Sequence, residues 1–241
     1  MLPKIIILII VIGITWALIY IKPNAKGILP RTILGNAYLD VELKYQIITL
    51  ILACLTLGLV FWVAPISFQK YFSLFGNISA PAVPVPAIGL VDQNWLQLGI
   101  QFALVISGVT FVVIYLQLMR GKRLQENTLR FFLWVVVLAL MNAFTEEMIT
   151  RFSVVALLDN LIPLPYVYLT SALIFGSVHY FGTPGKIPGV LMAGFLGWLL
   201  AKSIGETQGF FWAWLIHFLQ DVIIFTGLFV RQFAQSKEQG I

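Results

Sequence analysis

Six polar residues stand where a long apolar chain should not have them: Glu146, Glu147, Arg151, His179, His217 and Asp221. A charged side chain at mid-membrane costs about 2.5–3.5 kcal/mol on insertion scales. The four formal charges among them would together cost on the order of 10 kcal/mol before pairing, which rivals the stability of a typical domain. Intramembrane ionisable groups of this kind are functional by default. Their chemistry is that of proton transfer: three carboxyls, two imidazoles and one guanidinium.

Spacing sorts the six into three helical pieces. Glu147 and Arg151 are four apart, on one helix face, with the acid ahead of the base, the favourable order. Taken alone the pair reads as a structural ion pair. Glu146 is turned by about 100° from Glu147 and needs a different partner. Asn142 and Thr150, four residues to either side of it, are in reach to hydrogen-bond it. His217 and Asp221 are again four apart. Such a pair serves as a proton relay, a metal fragment, an oxyanion-binding pair or a plain polar link between helices. His179 stands alone on its helix, as a packing imidazole or a functional one. Counting 1.5 Å per residue from the outer ends of the spans puts Glu146 ~17 Å, His179 ~20 Å and His217 ~11 Å deep. All three depths fall in one middle layer of a hydrocarbon core about 30 Å thick, which predicts a shared cavity.

The elements that position them follow from composition. The chain has 241 residues, 60% hydrophobic and 10% charged, with a mean hydropathy of +0.94. Soluble domains are nearer 45–50% apolar and about 25% charged, so a water-soluble enzyme, a disordered chain and a disulfide-stapled secreted module are excluded. The fold class is all-α, a polytopic transmembrane helical bundle. Seven apolar runs are read as spans, at 5–21, 47–64, 96–119, 129–157, 166–181, 187–201 and 210–230. The fifth and sixth are short and interrupted by glycine. The first run, behind Lys4, is read as an anchor rather than a cleaved leader, being long for a leader and without a small-x-small site. Residues 1–128 form the N-terminal spans with a Pro-containing outer loop, and residues 129–241 a core carrying the six polar residues, within a single membrane domain.

Charge sets orientation. With the N-terminus outside, Lys22, Lys26, Arg31, Lys44, Arg120, Lys122, Arg123, Arg130, Lys186, Arg231 and Lys237 fall inside, and only Lys4, Lys70 and Lys202 outside. That asymmetry predicts an N-out, C-in integral membrane protein. The net charge of +5 is therefore loop charge, and no basic face is large enough for a nucleic acid. Cys54 is expected to be a small buried apolar residue. The loop 67–94 is read as a connector: an aromatic stretch from Phe68 to Phe75 at the interface, then a segment held extended by Pro81, Pro84 and Pro86. The small residues Gly189, Ala193, Gly194 and Gly197 are read as a close-packing face.

Three short patterns in order, Glu146-Glu147-x-x-x-Arg151, Phe175-x-x-x-His179 and His217-x-x-x-Asp221, resemble the CPBP family of intramembrane glutamic proteases. That family includes the CaaX prenyl endopeptidases and the bacteriocin-processing and immunity (Abi-type) proteins. The resemblance spans roughly 129–230, with Trp212 and Trp214 ahead of the last motif. It implies hydrolysis of a peptide bond by an activated water, with Glu146 as general base and His179 holding the water. It further implies His217 with Asp221 at the oxyanion, Glu147 with Arg151 as supports, and no cofactor or metal. The implied partners are a peptide or protein substrate, with or without a lipid, and the bilayer. The family commonly has Asn at the last position, and Asp donates a hydrogen bond only when protonated, so the oxyanion role rests more on His217. Three other functions are compatible with the same residues. They are a transporter or proton relay, a catalytically silent immunity or scaffold protein, and a zinc metalloprotease, although no H-E-x-x-H pair is present.

Overall fold

The computed structural model describes residues 1–28, 33–121, 126–182 and 185–238, with the side chains of 23–28, 126–130 and 233–238 left aside. Arg31, Lys122 and Arg123 of the orientation argument lie outside the described residues, as do the side chains of Lys26, Arg130 and Lys237. Within the described residues the protein is helical. The helices are α1 (Leu2–Ile28), α2 (Ala37–Val63), α3 (Pro65–Tyr71), α4 (Trp95–Ile114), α5 (Glu126–Glu147), α6 (Ser153–Leu158), α7 (Leu164–Val178), α8 (Lys186–Thr207) and α9 (Phe211–Glu238). Turns of π-helix extend α4 through Tyr115–Met119 and join α5 to α6 through Met148–Phe152. Among the described residues six helices are long and apolar enough to cross a membrane: Leu2–Lys22, Ala37–Val63, Trp95–Met119, Phe131–Leu158, Lys186–Thr207 and Phe211–Gln232. The protein is an integral multi-pass membrane protein. The run at 166–181 folds as α7 and a 3-10 turn, His179–Phe181, and α7 itself has 15 residues.

α2 and α8 extend well past the apolar runs read from the sequence, and for one reason. α2 begins at Ala37, ten residues ahead of the apolar run, and α8 runs on to Thr207. In each case the added turns carry charged residues with partners. Asp40 accepts from the backbone N–H groups of Ile33 (2.8 Å) and Leu34 (2.7 Å), and Glu42 pairs with Lys22 of α1 at 2.9 Å. Lys202 and Glu206 form an ion pair one turn apart on α8. A charge so neutralised no longer marks a helix end. The start of α2 is fixed by Asn36, whose side chain accepts from the N–H groups of Tyr38 and Leu39.

Cys54 corrects its expectation: it is exposed on the outside of the bundle, with Ile51 and Leu55 exposed beside it. In a lipid solvent the apolar residue has no reason to turn inward.

The small residues expected to pack closely do so. α7 lies against α8, where a Cβ on Gly176 would stand 2.9 Å from Val190 O and one on Gly197 3.3 Å from Ala172 Cα and Phe175 Cβ. This contact fixes the end of α7 that carries Phe175 and His179.

The loop 67–94 is more than a connector. Asn77 N–H donates to Thr207 O (2.7 Å), Phe210 N–H to Ser73 O (3.0 Å) and Trp212 Nε1 to Ile78 O (2.9 Å), docking the loop on the α8–α9 corner. Gly76, at φ +55°, lies so close to the backbone of Thr207 and Gly209 that no side chain fits. The proline segment is extended, with isolated bridges Pro81 to Asn94 and Val85 to Leu90, except that Pro86 opens a 3-10 turn through Ile88, a position where proline fits. Phe68 and Phe72 stack on each other at 4.6 Å and both meet Phe152 edge-on, so part of the aromatic stretch faces the protein.

Candidate active site

The site forms where α5 and its π turn face α9, with α2 and the end of α7 closing the sides. Glu147 ends α5 and Arg151 sits in the π turn that follows. A π turn carries one surplus residue and leaves a backbone carbonyl to be satisfied from elsewhere. Here Ser171 of α7 donates to Thr150 O at 2.8 Å, and Ser153 to Met148 O at 2.7 Å. Arg151 Nη1 lies 3.2 Å from Glu147 Oε1, both fully buried, so the expected pair forms. The Arg151 guanidinium also lies over the Phe175 ring, 3.4 Å from its centroid, a stacking arginine tolerates well.

Glu147 has a second partner that spacing did not suggest. His217 Nδ1 approaches the same Oε1 at 2.6 Å, so α9 docks on the ion pair through its imidazole. A carboxylate oxygen accepts, hence Nδ1 carries the proton and Nε2 points away. Nε2 lies 3.7 Å from Glu146 Oε2 and 3.6 Å from Asp221 Oδ2. Glu146 and Glu147 therefore do not look into separate surroundings, because His217 is wide enough to touch both.

Asn142 completes the cluster. Its Nδ2 donates to Glu146 Oε1 (3.2 Å) and to Asp221 Oδ2 (2.9 Å), tying an acid of α5 to an acid of α9. Of the two neighbours offered to Glu146 by spacing, Asn142 makes the bond. The Thr150 hydroxyl instead donates to Glu146 O at 2.8 Å and accepts from Arg151 Nη1 at 2.6 Å. Behind Asn142 stands a residue that the sequence reading passed over: Gln46 of α2, fully buried, whose Nε2 donates to Asn142 Oδ1 at 2.8 Å.

A cavity of about 220 Å³ opens beside these groups. Glu146, Thr150, Phe175 and His179 line it together with Thr15, Leu18, Ile19, Lys22, Tyr45 and Phe181. Glu146 is the acid that faces it: its side chain is 21% exposed, against 0% for Glu147 and 6% for Asp221. His179 Nδ1 lies 2.8 Å from Phe175 O. A carbonyl only accepts, so Nδ1 bears the proton and Nε2 is the ring's free acceptor. Of the residues singled out from sequence, Glu146 and His179 line the cavity, His217 and Asp221 lie behind Glu146, and Glu147 with Arg151 form the buried support. Among the described residues no group of three or more His, Cys, Asp or Glu is placed to hold a metal ion.

Every one of these motif residues lies in the stretch that comparison with known families picks out.

Residues 128–223 match the family model Rce1-like, type II CAAX prenyl endopeptidase.

This is the grouping that the three motifs resemble. The Rce1-like stretch runs from the first turns of α5 into α9 and is less than half of the chain. Its family supports a membrane endopeptidase of the CAAX-protease type, acting on a peptide or protein substrate in a lipid setting. No curated protein and no solved structure matches the chain. Gln46, Tyr45 and Lys22 lie outside the Rce1-like stretch.

Proposed function

We propose that the protein is an intramembrane glutamic-type endopeptidase in which Glu146 activates the water that attacks a peptide carbonyl. The observation that carries this reading is the unequal exposure of two adjacent glutamates. Glu147 is fully enclosed and held by Arg151 and His217, whereas Glu146 opens on a cavity that it shares with His179. A general base must reach its substrate proton, and only the second arrangement allows that.

In this mechanism a water bound between Glu146 and His179 gives its proton to Glu146 while its oxygen attacks the scissile carbonyl carbon. The Nε2 lone pair of His179 accepts the water's other hydrogen and orients it. Negative charge develops on the carbonyl oxygen, where a donor is worth about 3 kcal/mol. His217 is that donor in its doubly protonated form, from Nε2, since Nδ1 is engaged by Glu147. Asp221, one turn on with Oδ2 3.6 Å from Nε2, serves as a neighbouring charge for His217 rather than as donor. The proton on Glu146 then passes to the leaving amine as the tetrahedral intermediate collapses. Residues 129–241 carry this chemistry, and residues 1–128 supply α1 and α2 as cavity walls. With the N-terminus outside, Lys22, one of the residues lining the cavity, marks the inner membrane face.

The test is hydrolysis of a quenched-fluorescent farnesylated CaaX peptide by the purified full chain. Glu146→Gln is expected to lose cleavage while remaining inserted and folded, and cleavage is expected to survive exhaustive chelation. Equal rates for wild type and Glu146→Gln would overturn the reading, and loss on chelation would favour a metalloenzyme.

A further inference from the structure

We infer that Gln46, on a helix outside the Rce1-like stretch, is a positioning residue for the general base, acting through the orientation of Asn142. The inference rests on the assignment of Glu146 made above.

An Asn side chain has two unlike ends, one that only donates and one that only accepts. Asn142 stands between two acids on one side and Gln46 on the other. With Nδ2 toward the acids it makes two favourable contacts, to Glu146 Oε1 at 3.2 Å and Asp221 Oδ2 at 2.9 Å. Turned over, it would set a carbonyl oxygen against two carboxyls. The choice is fixed from behind, since Oδ1 must then accept, and the group facing it is the Gln46 amide nitrogen at 2.8 Å. Gln46 is itself constrained. It is completely buried, and Thr49 Oγ1, which donates to its backbone oxygen at 3.0 Å, stands 3.4 Å from its Oε1, on the side of the amide away from Asn142.

The chain of contacts runs from α2 through α5 to α9, with each amide donating toward the acids and the Gln46 N–H meeting the one acceptor that Asn142 turns away from them. The amide can be buried in this setting because its N–H is paired with Asn142; left unpaired in an apolar medium, a polar group costs several kcal/mol. Gln46 thus sets where the Glu146 carboxylate lies and keeps an N–H donor, never an acceptor, beside it. Other charged and titratable groups around Glu146 are Asp221 and His217 on α9, His179 after α7, Glu147 and Arg151 on its own span, and Tyr45 of α2 and Lys22 of α1 at the cavity wall.

Gln46→Glu is the sharpest probe. It keeps shape and volume, yet an ionised carboxylate cannot donate to Asn142 Oδ1 and draws Nδ2 toward itself. With the farnesylated CaaX peptide, kcat is expected to fall on the order of 10–100-fold with KM within about twofold, as for loss of a preorganised polar contact at the reacting group. Asp221→Asn removes one of the two acids that a turned Asn142 would face. In that background the Gln46→Glu loss is expected to shrink to below about threefold, the non-additivity of residues in one network. Gln46→Met, which packs but cannot donate, is expected to lose kcat several-fold, and it decides the matter where Gln46→Glu does not fold. Wild-type kcat in both Gln46 variants overturns the inference while leaving Glu146 in place, as does an equal loss in the presence and absence of Asp221→Asn. A wild type that leaves the peptide intact, or a Glu146→Gln variant that cuts it, overturns the base assignment and the positioning role with it.

Discussion

Two clusters of buried charge are carried by one stretch of chain, one within a membrane span and one just past its end at Leu158, and they are built to different standards. Past that end Asp159 accepts from Ser67 Oγ (3.0 Å), Lys70 Nζ (3.1 Å), Tyr71 OH (2.9 Å) and Asn160 Nδ2 (2.9 Å), so both carboxylate oxygens are engaged. Nearby, Glu206 accepts from Trp95 Nε1 and Val83 N–H while Lys202 donates to Val83 O, stapling the proline segment onto α8. The mid-span cluster is less complete. Glu147 Oε2 and both Nε and Nη2 of Arg151 are buried without a hydrogen-bond partner among the described residues. His217 Nε2 stands more than 3.5 Å from the two nearest acids, beyond hydrogen-bond reach. The cluster around Asp159 and Glu206 has the marks of a fastening, with both oxygens of each carboxylate engaged. The inner one keeps capacity in reserve beside an open cavity, which is the usual mark of a site with work to do.

The difference can be broken from either side. The largest effect is expected from Glu146→Gln, a loss of about 10²–10⁴-fold in cleavage rate with thermal unfolding in detergent little changed. A comparable effect from Asp159→Asn would erase the distinction. Next, Arg151→Leu strands the Glu147 carboxylate and is expected to cost about 3–5 kcal/mol of stability. That loss should register as lowered thermal stability even in an already inactive Glu146→Gln background. Asp159→Ala comes third, about 1–3 kcal/mol from the buried donors it orphans, with kcat of the surviving folded enzyme near wild type.

The smallest effect is on pH dependence. Burial pushes the Asp159 carboxyl upward, but hydrogen bonds from Lys70, Tyr71 and Ser67 outweigh it and hold the group below the ordinary carboxylate range. A depressed acid contributes stability above its unfolded value of about 4 and loses it as pH falls through the lower, folded one. Unfolding measured from pH 6 down to pH 3 should therefore show a drop in wild type that Asp159→Asn lacks.

Most of the inner cluster was legible because its residues violate their surroundings. A glutamate, a histidine or an aspartate inside an apolar run is visible from hydropathy alone, and spacing then placed Glu147 beside Arg151. Spacing along one helix could not show that His217 of α9 enters between Glu146 and Glu147, since that depends on how two helices dock. Gln46 was hidden by a different mechanism. Asp40, Glu42, Lys44 and Gln46 alternate with apolar residues, which reads as a loop leading into a span at Ile47. Folded, they lie in the first half of α2 and all are buried, because partners on other elements discharge Asp40, Glu42 and Gln46. The outer staples were equally invisible, as they join residues some 90–120 positions apart in the chain. Cys54 was misplaced because burial was assumed to follow apolarity, a rule for water that does not carry over to lipid.

The π turn between α5 and α6 has one more implication, for how the span can vary. Its surplus residue lets a single continuous rod keep two phases, one that aims the glutamate pair at α9 and one that aims Asp159 at α3. Were the same residues wound as a regular helix instead, the surplus position would rotate everything beyond it by about 100°. Such a regular helix could keep the mid-span cluster or the Asp159 fastening aligned, but not both.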